Sequence, residues 1–361
     1  MPEHPTPRDK PLRILAAAAS WPGSNDHSFV RAFQRRGHTA VAVSSDDHVP
    51  KWRHPVLRGI RRVLMPKIVS NYNRELLRQA AAFKPDMFFV FKGAYVQPET
   101  VSALKAQGAV AINVFPDTGF ADHGPYLPRA IGLYDWVFTT KSAGVGDLAE
   151  NYGYGNASFF APCFDPEVHV PGKLSRAERD TYECDVAFIG NISEGKRDVL
   201  NRAGEQLKDL RLYIWGAPEW GQVPGLSARF KGRPVWGHEY AKAIQASSIN
   251  LGLLFEGGPS APAGDQITSR TFEIPAVGGF MLHQRTDEAL NYFDEDKECA
   301  FFADADELVE KVRYYLEHQD KRMSIAAAGR VRCLASDYSV NARVDEVLAR
   351  YRQLCGSRHQ D

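Results

Sequence analysis

The sequence predicts an α/β protein made of two similar parallel-sheet halves and a helical tail. Three observations carry that reading. Short apolar runs alternate with amphipathic stretches along most of the chain, the pattern of strands buried on both faces by crossover helices. The alternation stops once, at the proline- and charge-rich stretch PCFDPEVHVPGKLSRAERDTY, and then restarts. At 361 residues the chain also exceeds the usual size of one domain. The expected boundaries are residues 1–165 and 183–340 for two Rossmann-like domains facing a central cleft, with a linker at 166–182. A C-terminal helical segment, 341–361, is expected to pack back on the first domain.

In the first half, Leu12–Ala19 is an apolar run that ends in the turn Ser20-Trp21-Pro22-Gly23-Ser24-Asn25. An amphipathic helix to Arg36 follows, with Phe29, Val30 and Phe33 on one face, and Gly37-His38 breaks it. Thr39–Ser44 is the second strand. A helical stretch ends near Phe83, and Asp86–Phe91, Val110–Phe115 and Trp136–Thr139 continue the strands, with helices from Pro98 to Gln107 and after Ser142. In the second half the strands are Cys184–Gly190, Arg211–Trp215, Asn250–Leu254, Gly279–His283 and Ala300–Phe302. Helices fall near Lys196–Leu207, His238–Ala246 and Ser269–Val277, and the chain from Asp306 to Leu354 is mostly helical.

Bulk composition removes several classes. Lys+Arg and Asp+Glu are equal at 44 each, whereas a dedicated nucleic-acid binder should be basic. The cysteines, Cys163, Cys184, Cys299, Cys333 and Cys355, are scattered without a CxxC pair, which suits neither a disulfide framework nor a zinc site. No run approaches the roughly 18 apolar residues of a membrane span, and the polar, proline-rich MPEHPTPRDKP start does not read as a signal peptide. A soluble, cytoplasmic protein is expected.

The segment from Thr268 to Leu282 is the most telling. A polar turn leads into a helix at Ser269, Gly278-Gly279 ends it, and an apolar strand follows. Glu273 is placed in the first turn of that helix. A carboxylate accepts hydrogen bonds from paired hydroxyls such as those of a ribose, and the helix's free N–H groups suit adjacent phosphates. A surface carboxylate complementing the helix dipole is the plain alternative. In Phe188-Ile189-Gly190-Asn191-Ile192-Ser193-Glu194-Gly195-Lys196-Arg197 a strand enters a glycine-bearing turn and a helix that opens with two cations. Gly190 lets a ligand approach the backbone, and Lys196 or Arg197 can neutralise a diphosphate. Neither GxxxxGK[ST] nor GxGxxG spacing is present, so an ordinary βα turn remains the other reading. Trp215 and its neighbours either frame a base-binding slot or pack the core.

In the first half, Gly23 and the helix start after it can face a donor's phosphates. His27 is a candidate base, although a lone histidine is more often structural. Phe115-Pro116-Asp117-Thr118-Gly119-Phe120-Ala121-Asp122-His123 places carboxylates and a histidine at a strand's carboxyl end, a better setting for acid–base work. Asp117 leads there, ahead of His123 and Asp122, with turn chemistry as the bland option. Arg58–Lys67 is basic and amphipathic. Peripheral membrane contact is one reading, and packing on the first sheet, with Pro66 interrupting the helix, is the preferred one.

On these residues the chain resembles the CgeB-like (spore-maturation type) glycosyltransferases of the GT-B superfamily. Cys184–Gly190 with Lys196-Arg197, His238–Leu254 and Arg270–Leu282 are similar to three blocks of that family's donor domain, and Phe115-Pro116-Asp117 to its aromatic-x-Asp loop. The resemblance implies a GT-B fold and transfer of a sugar, of hexosyltransferase type, from a nucleotide-diphosphate donor to an acceptor. It also implies that Glu273 binds the donor ribose, that Arg270 lies beside the diphosphate, and that Lys196 or Arg197 assists. The expected donor set is Gly23, Gly190, Asn191, Lys196, Arg197, Trp215, Ser269, Arg270 and Glu273. The expected catalytic set is Asp117, His123 and His27. Cations and helix ends do the work of a metal, so neither metal nor cofactor is expected beyond the nucleotide sugar as co-substrate. Asp304-Ala305-Asp306 reads as a helix cap, not a metal-binding pair. A nucleotide-sugar epimerase and a non-catalytic nucleotide-sugar sensor are the alternatives; a dehydrogenase lacks its glycine fingerprint.

Overall fold

The computed structural model describes residues 10–49, 55–259 and 261–357, with the side chains of 55–62 outside the described part. The chain divides into two units. The first runs to Thr140 and includes residues 144–159 and the C-terminal stretch from Val344. Its elements are β1 (Arg13–Ala17), α1 (Asn25–Arg35), β2 (Thr39–Val43), α2 (Pro55–Phe83), β3 (Met87–Phe91), α3 (Pro98–Ala106), β4 (Val110–Phe115), α4 (Tyr126–Ala130), β5 (Trp136–Thr139), α5 (Gly144–Tyr152) and β6 (Ala157–Phe159). All strands are parallel, in the order β2-β1-β3-β4-β5-β6.

The sequence explains why. β3 reads Met-Phe-Phe-Val-Phe and β4 Val-Ala-Ile-Asn-Val-Phe, nearly continuous apolar runs buried on both faces. Ser24 caps α1 by accepting the His27 N–H at 3.3 Å, and Phe29, Val30 and Phe33 turn inward as the periodicity requires. The core is built from residues such as Leu15, Leu76, Phe88, Val101 and Phe115.

Pro66 does not interrupt α2, which runs through it. An interior proline forfeits one backbone hydrogen bond; here the turns after it bury Val69, Tyr72, Leu76 and Ala80, spaced three and four apart on one face. Residues 58–62 of the basic Arg58–Lys67 segment lie outside the described side chains. Its described remainder is largely solvent-facing, with Val63 79% exposed, and packing begins only at Val69.

The second unit comprises residues 141–143 and 160–343. It contains α6 (Arg176–Tyr182), β7 (Cys184–Ile189), α7 (Glu194–Gln206), β8 (Leu212–Trp215), α8 (Gly237–Ala246), β9 (Ser247–Gly252), α9 (Ser269–Val277), β10 (Met281–Gln284), α10 (Asp287–Leu290), β11 (Ala300–Phe302), α11 (Ala305–Glu317) and α12 (Gln319–Ala335). Its sheet is parallel, in the order β11-β10-β9-β7-β8. The order reverses between β7 and β9, and ligands of such sheets bind beyond the carboxyl ends at that point. Phe188, Leu200, Ile214, Trp220 and Leu282 belong to its core.

The chain between 166 and 182 is built into this second unit. Ser175 and Glu178 close a capping box at the start of α6, with bonds of 3.2 and 2.8 Å, and Glu178 pairs with Lys242 at 2.6 Å. Helix α13 (Val340–Ser357) meets the first unit through Arg36 Nε to Asp345 Oδ1, 2.6 Å, and through Arg350 stacked 3.6 Å above Trp136. None of the five cysteines is joined in a disulfide. No helix among the described residues is long and apolar enough to cross a membrane.

Candidate functional site

At the carboxyl end of β7 the chain leaves the sheet at Gly190 and enters α7, in which Lys196 is third. Lys196 shares a helix face with Leu200, Ala203 and Gly204, all buried, so its stem is drawn inward and the residue is only 8% exposed. Among the described residues its ammonium has no hydrogen-bond or ion-pair partner. Burial lowers its pKa to about 8, Arg270 and Lys141 push the same way, and Asp265 and Glu256 oppose them. Arg197, the neighbouring candidate, faces solvent and is held by Glu194 at 3.3 Å and Asp198 at 2.9 Å. One cation of the expected pair therefore enters the site and the other decorates the surface.

Arg270, second residue of α9, reaches the same place. Its Nη2 donates to the Leu253 carbonyl at 2.9 Å, its guanidinium lies 5.7 Å from the Phe188 ring, and its Nε is buried without a partner. Gly190 sits against it: a Cβ there would lie 2.9 Å from Phe188 Cζ and 3.1 Å from Arg270 Nη1. Gly216, just past β8, is under a harder constraint, because a Cβ would fall 2.1 Å from the Gly190 carbonyl oxygen. Lys141 and Asp265 form a nearly buried pair at 2.6 Å, and Glu256 accepts from the Ser193 hydroxyl at 2.6 Å. Three cations and two carboxylates thus act on one another around the start of α7.

Glu273 lies just past the first turn of α9, not within that turn as expected. The helix begins at Ser269, so Thr268 is the cap residue and Glu273 is fifth. Thr268 N–H donates to Thr271 Oγ1 at 3.0 Å, and Thr271 Oγ1 meets Nε2 of the buried His283 at 2.9 Å. Burial lowers the His283 pKa to about 4, and its Nδ1 contacts the Gln284 carbonyl at 2.6 Å. The neutral ring therefore donates from Nδ1 and accepts from Thr271 at Nε2. At the other end Gly278, at φ 88°, takes the left-handed turn that closes the helix.

The dipole explanation for Glu273 weakens with this register, since that effect fades beyond the first turn. The residue is also only 7% exposed. Its Oε1 lies 3.8 Å from His169 Nε2. His169 Nδ1 accepts the Asp165 N–H at 2.9 Å, which places the ring proton on Nε2, facing Glu273. Burial depresses the His169 pKa, against the pull of Glu273 and Asp165. Tyr240 packs edge-on against His169 at 5.8 Å, and burial followed by the Glu273 charge raises its hydroxyl pKa. Tyr240, Arg270 and Asn250 line a cavity of about 10 Å³ between β7, β9, α8 and α9. His169, Asp265 and Glu256 were not singled out from sequence, and Tyr240 was read only as one of the aromatics near Trp215.

Other candidates are placed differently. Trp215 does not frame a slot: it is 2% exposed, covered by Tyr182 of α6 at 5.5 Å and by Arg233. The exposed aromatic nearby is Trp236, 58% accessible at the start of α8. Asn191 is exposed beyond Gly190, and Ser269 is half-buried as the first residue of α9. In the first unit, Asp117 follows β4 and pairs with Lys92 at 2.6 Å, with His123 Nε2 at 3.7 Å. His123 stands edge-on to Phe115 at 5.4 Å. His27 lies in the first turn of α1, where its N–H serves the Ser24 cap, and Gly23 takes a φ of 96° in the turn before it. Asp304 is a cap, accepting from Asp306 N at 2.9 Å and Glu307 N at 3.0 Å. Among the described residues no group of three or more His, Cys, Asp or Glu is arranged to hold a metal.

Residues 195–349 match a family model described as glycosyl transferase-like. No curated protein matches the chain. Among solved structures, a glycosyltransferase from Rickettsia africae ESF-5 is 14% identical with a TM-score of 0.65, over 96% of this chain and 99% of that one. A sucrose-phosphate synthase from Thermosynechococcus elongatus is 13% identical with a TM-score of 0.68, over 95% and 99%. Anabaena HepE, in complex with UDP and glucose, is 11% identical with a TM-score of 0.59, over 94% and 99%. The fold of two parallel-sheet Rossmann-like domains with a helical C-terminal segment is the GT-B fold.

Proposed function

We propose that this chain is a metal-independent glycosyltransferase that moves a hexosyl group from a nucleoside-diphosphate donor to an acceptor hydroxyl. The observation that carries the reading is Lys196: a buried ammonium without a counter-ion among the described residues, beside Arg270, at the amino end of a helix and the switch point of a parallel sheet. Such a charge is expensive to keep unless an anion is to be met there. The family model over the same unit, and a GT-B structure holding UDP and glucose, support a nucleotide-sugar donor.

In this reading the donor diphosphate lies against Lys196, Arg270 and the free N–H groups of α7, which stabilise the negative charge that grows as the sugar's bond to phosphate breaks. Gly190 leaves room for it. Glu273, oriented by His169 and Tyr240, accepts hydrogen bonds from the ribose hydroxyls. Asp117, paired with Lys92 at 2.6 Å, takes the proton of the acceptor hydroxyl as the new glycosidic bond forms.

The test is a thermal-shift panel of UDP, GDP, ADP, CMP and dTDP with their common sugars, run with EDTA. A selective shift by one diphosphate family, followed by acceptor-dependent loss of the matching donor, is expected. Absence of any shift, confirmed by calorimetry, overturns the reading. Sugar conversion without an acceptor points to an epimerase, and tight binding without turnover to a sensor.

A further inference from the structure

The anion seat at the start of α7 is already filled by the protein itself. Glu256, four residues past β9, accepts from the Ser193 hydroxyl at 2.6 Å and lies beside the Gly195 backbone N–H. Contact with Gly195 is close enough that a Cβ there would stand 3.0 Å from Glu256 Oε2. Ser193 is the cap residue of α7, and its own side chain makes no capping bond to the helix; its hydroxyl turns to Glu256 instead, which brings the carboxylate to the helix end. Burial acts to raise the Glu256 pKa, but the bonds from Ser193 and Gly195 outweigh it and hold the carboxyl below its ordinary range.

Two further facts separate this contact from ordinary capping. Capping carboxylates normally come from the cap residue or the first turn, whereas Glu256 arrives from a loop more than sixty residues away in sequence. The same corner also holds Lys196, more than nine-tenths buried and unpaired among the described residues. Glu256 acts on Lys196 electrostatically but does not reach it. The carboxylate therefore faces the helix end at Ser193 and Gly195 and leaves the buried ammonium unmet among the described residues.

We infer that Glu256 is an internal stand-in for the donor diphosphate, occupying the α7 anion seat in the empty protein and leaving it when a diphosphate binds. This rests on the proposed donor site and adds how that site is kept closed to weak anions. A two-phosphate ligand can meet the helix N–H groups, Lys196 and Arg270 together, which a single carboxylate cannot. Displacing Glu256 subtracts from its apparent affinity. If the paired, charge-assisted bonds favour the occupied state about tenfold, the measured affinity is reduced about tenfold.

The experiment compares wild type, Glu256→Gln and Glu256→Ala by calorimetric titration with inorganic pyrophosphate and with UDP. Acetylation of Lys196 at pH 8 in the empty protein, read by peptide mass spectrometry, is the ligand-free arm. Expected results are pyrophosphate and UDP binding tightened about tenfold in both variants and faster Lys196 acetylation. Unchanged acetylation means that Glu256 does not cover the seat and overturns the inference. Faster acetylation with unchanged or weaker binding makes Glu256 a helix cap or a donor contact and overturns it as well. If neither wild type nor variants bind pyrophosphate or UDP, the donor-site reading falls with it; loss of the inference alone leaves wild-type binding intact.

Discussion

Replacing Lys196 by methionine should make the empty protein more stable and the donor site useless. The side chain is buried, and burial is the first cause of its depressed pKa, about 8 against 10.5 in water. At about 1.4 kcal/mol per tenfold, keeping that ammonium charged in the folded state costs roughly 3 kcal/mol as an upper figure. The sign follows from linkage. Below about pH 8 the lysine is protonated in both folded and unfolded chains, and the full cost is present. Between about pH 8 and 10.5 the folded protein releases the proton while the unfolded chain keeps it, so wild-type stability gains with rising pH. Methionine keeps the stem's packing and removes the charge.

Differential scanning calorimetry of wild type and Lys196→Met at pH 7 and pH 10 measures this directly. For a unit of this size each kcal/mol is worth about 2–4 °C, so the variant's transition should lie roughly 6–12 °C higher at pH 7. That gap should narrow at pH 10. Diphosphate affinity at pH 7 should fall at least tenfold, about 1.4 kcal/mol. A variant no more stable than wild type at pH 7, or a gap that does not close with pH, would refute the claim that the ammonium is uncompensated.

Glu273→Gln should weaken UDP-sugar binding by tenfold or more while leaving inorganic pyrophosphate unaffected, because the loss is confined to ribose hydroxyls; titration calorimetry with both ligands checks it, and equal loss would remove the ribose assignment. Asp117→Asn should leave donor affinity intact and lower acceptor-dependent turnover by about a hundredfold or more, and normal turnover in a product assay would take Asp117 off the catalytic list.

How much of this could be read from the chain depended on whether the deciding information was local. The β7 turn and the Thr268–Leu282 segment were legible because glycine, cap and apolar periodicity act within a few residues. Choosing between Lys196 and Arg197 was also within reach: positions 196, 200 and 203 share one face, and Leu200 and Ala203 mark it as the inner one. The start of α9 at Ser269 was legible, but Glu273, fifth from it, falls past the first turn where it was expected, and His283, which engages Thr271, comes from the next strand. Trp215 could not be assigned without Tyr182. Its helix lay in a stretch read as linker, although Ser175-Arg176-Ala177-Glu178 carries the spacing of a capping box. His169 was hidden in the same stretch, more than a hundred residues from the Glu273 that it faces.

The same physics explains why the site combines costly groups instead of satisfying them one by one. A buried lysine could have been paired with a carboxylate, and two are near enough to influence it. Asp265 instead directs its charge to Lys141 at 2.6 Å, and Glu256 directs its own to Ser193 beside the Gly195 N–H. Had either closed on Lys196, the pair would have been neutral, and a ligand anion would have had to break a buried salt bridge, a loss of several kcal/mol. Dividing the carboxylates in this way lets the fold stay near charge balance while Lys196 and the Arg270 Nε stay uncommitted. The resulting instability is localised at the switch point of the sheet, where, in the proposed reading, a bound diphosphate offsets it.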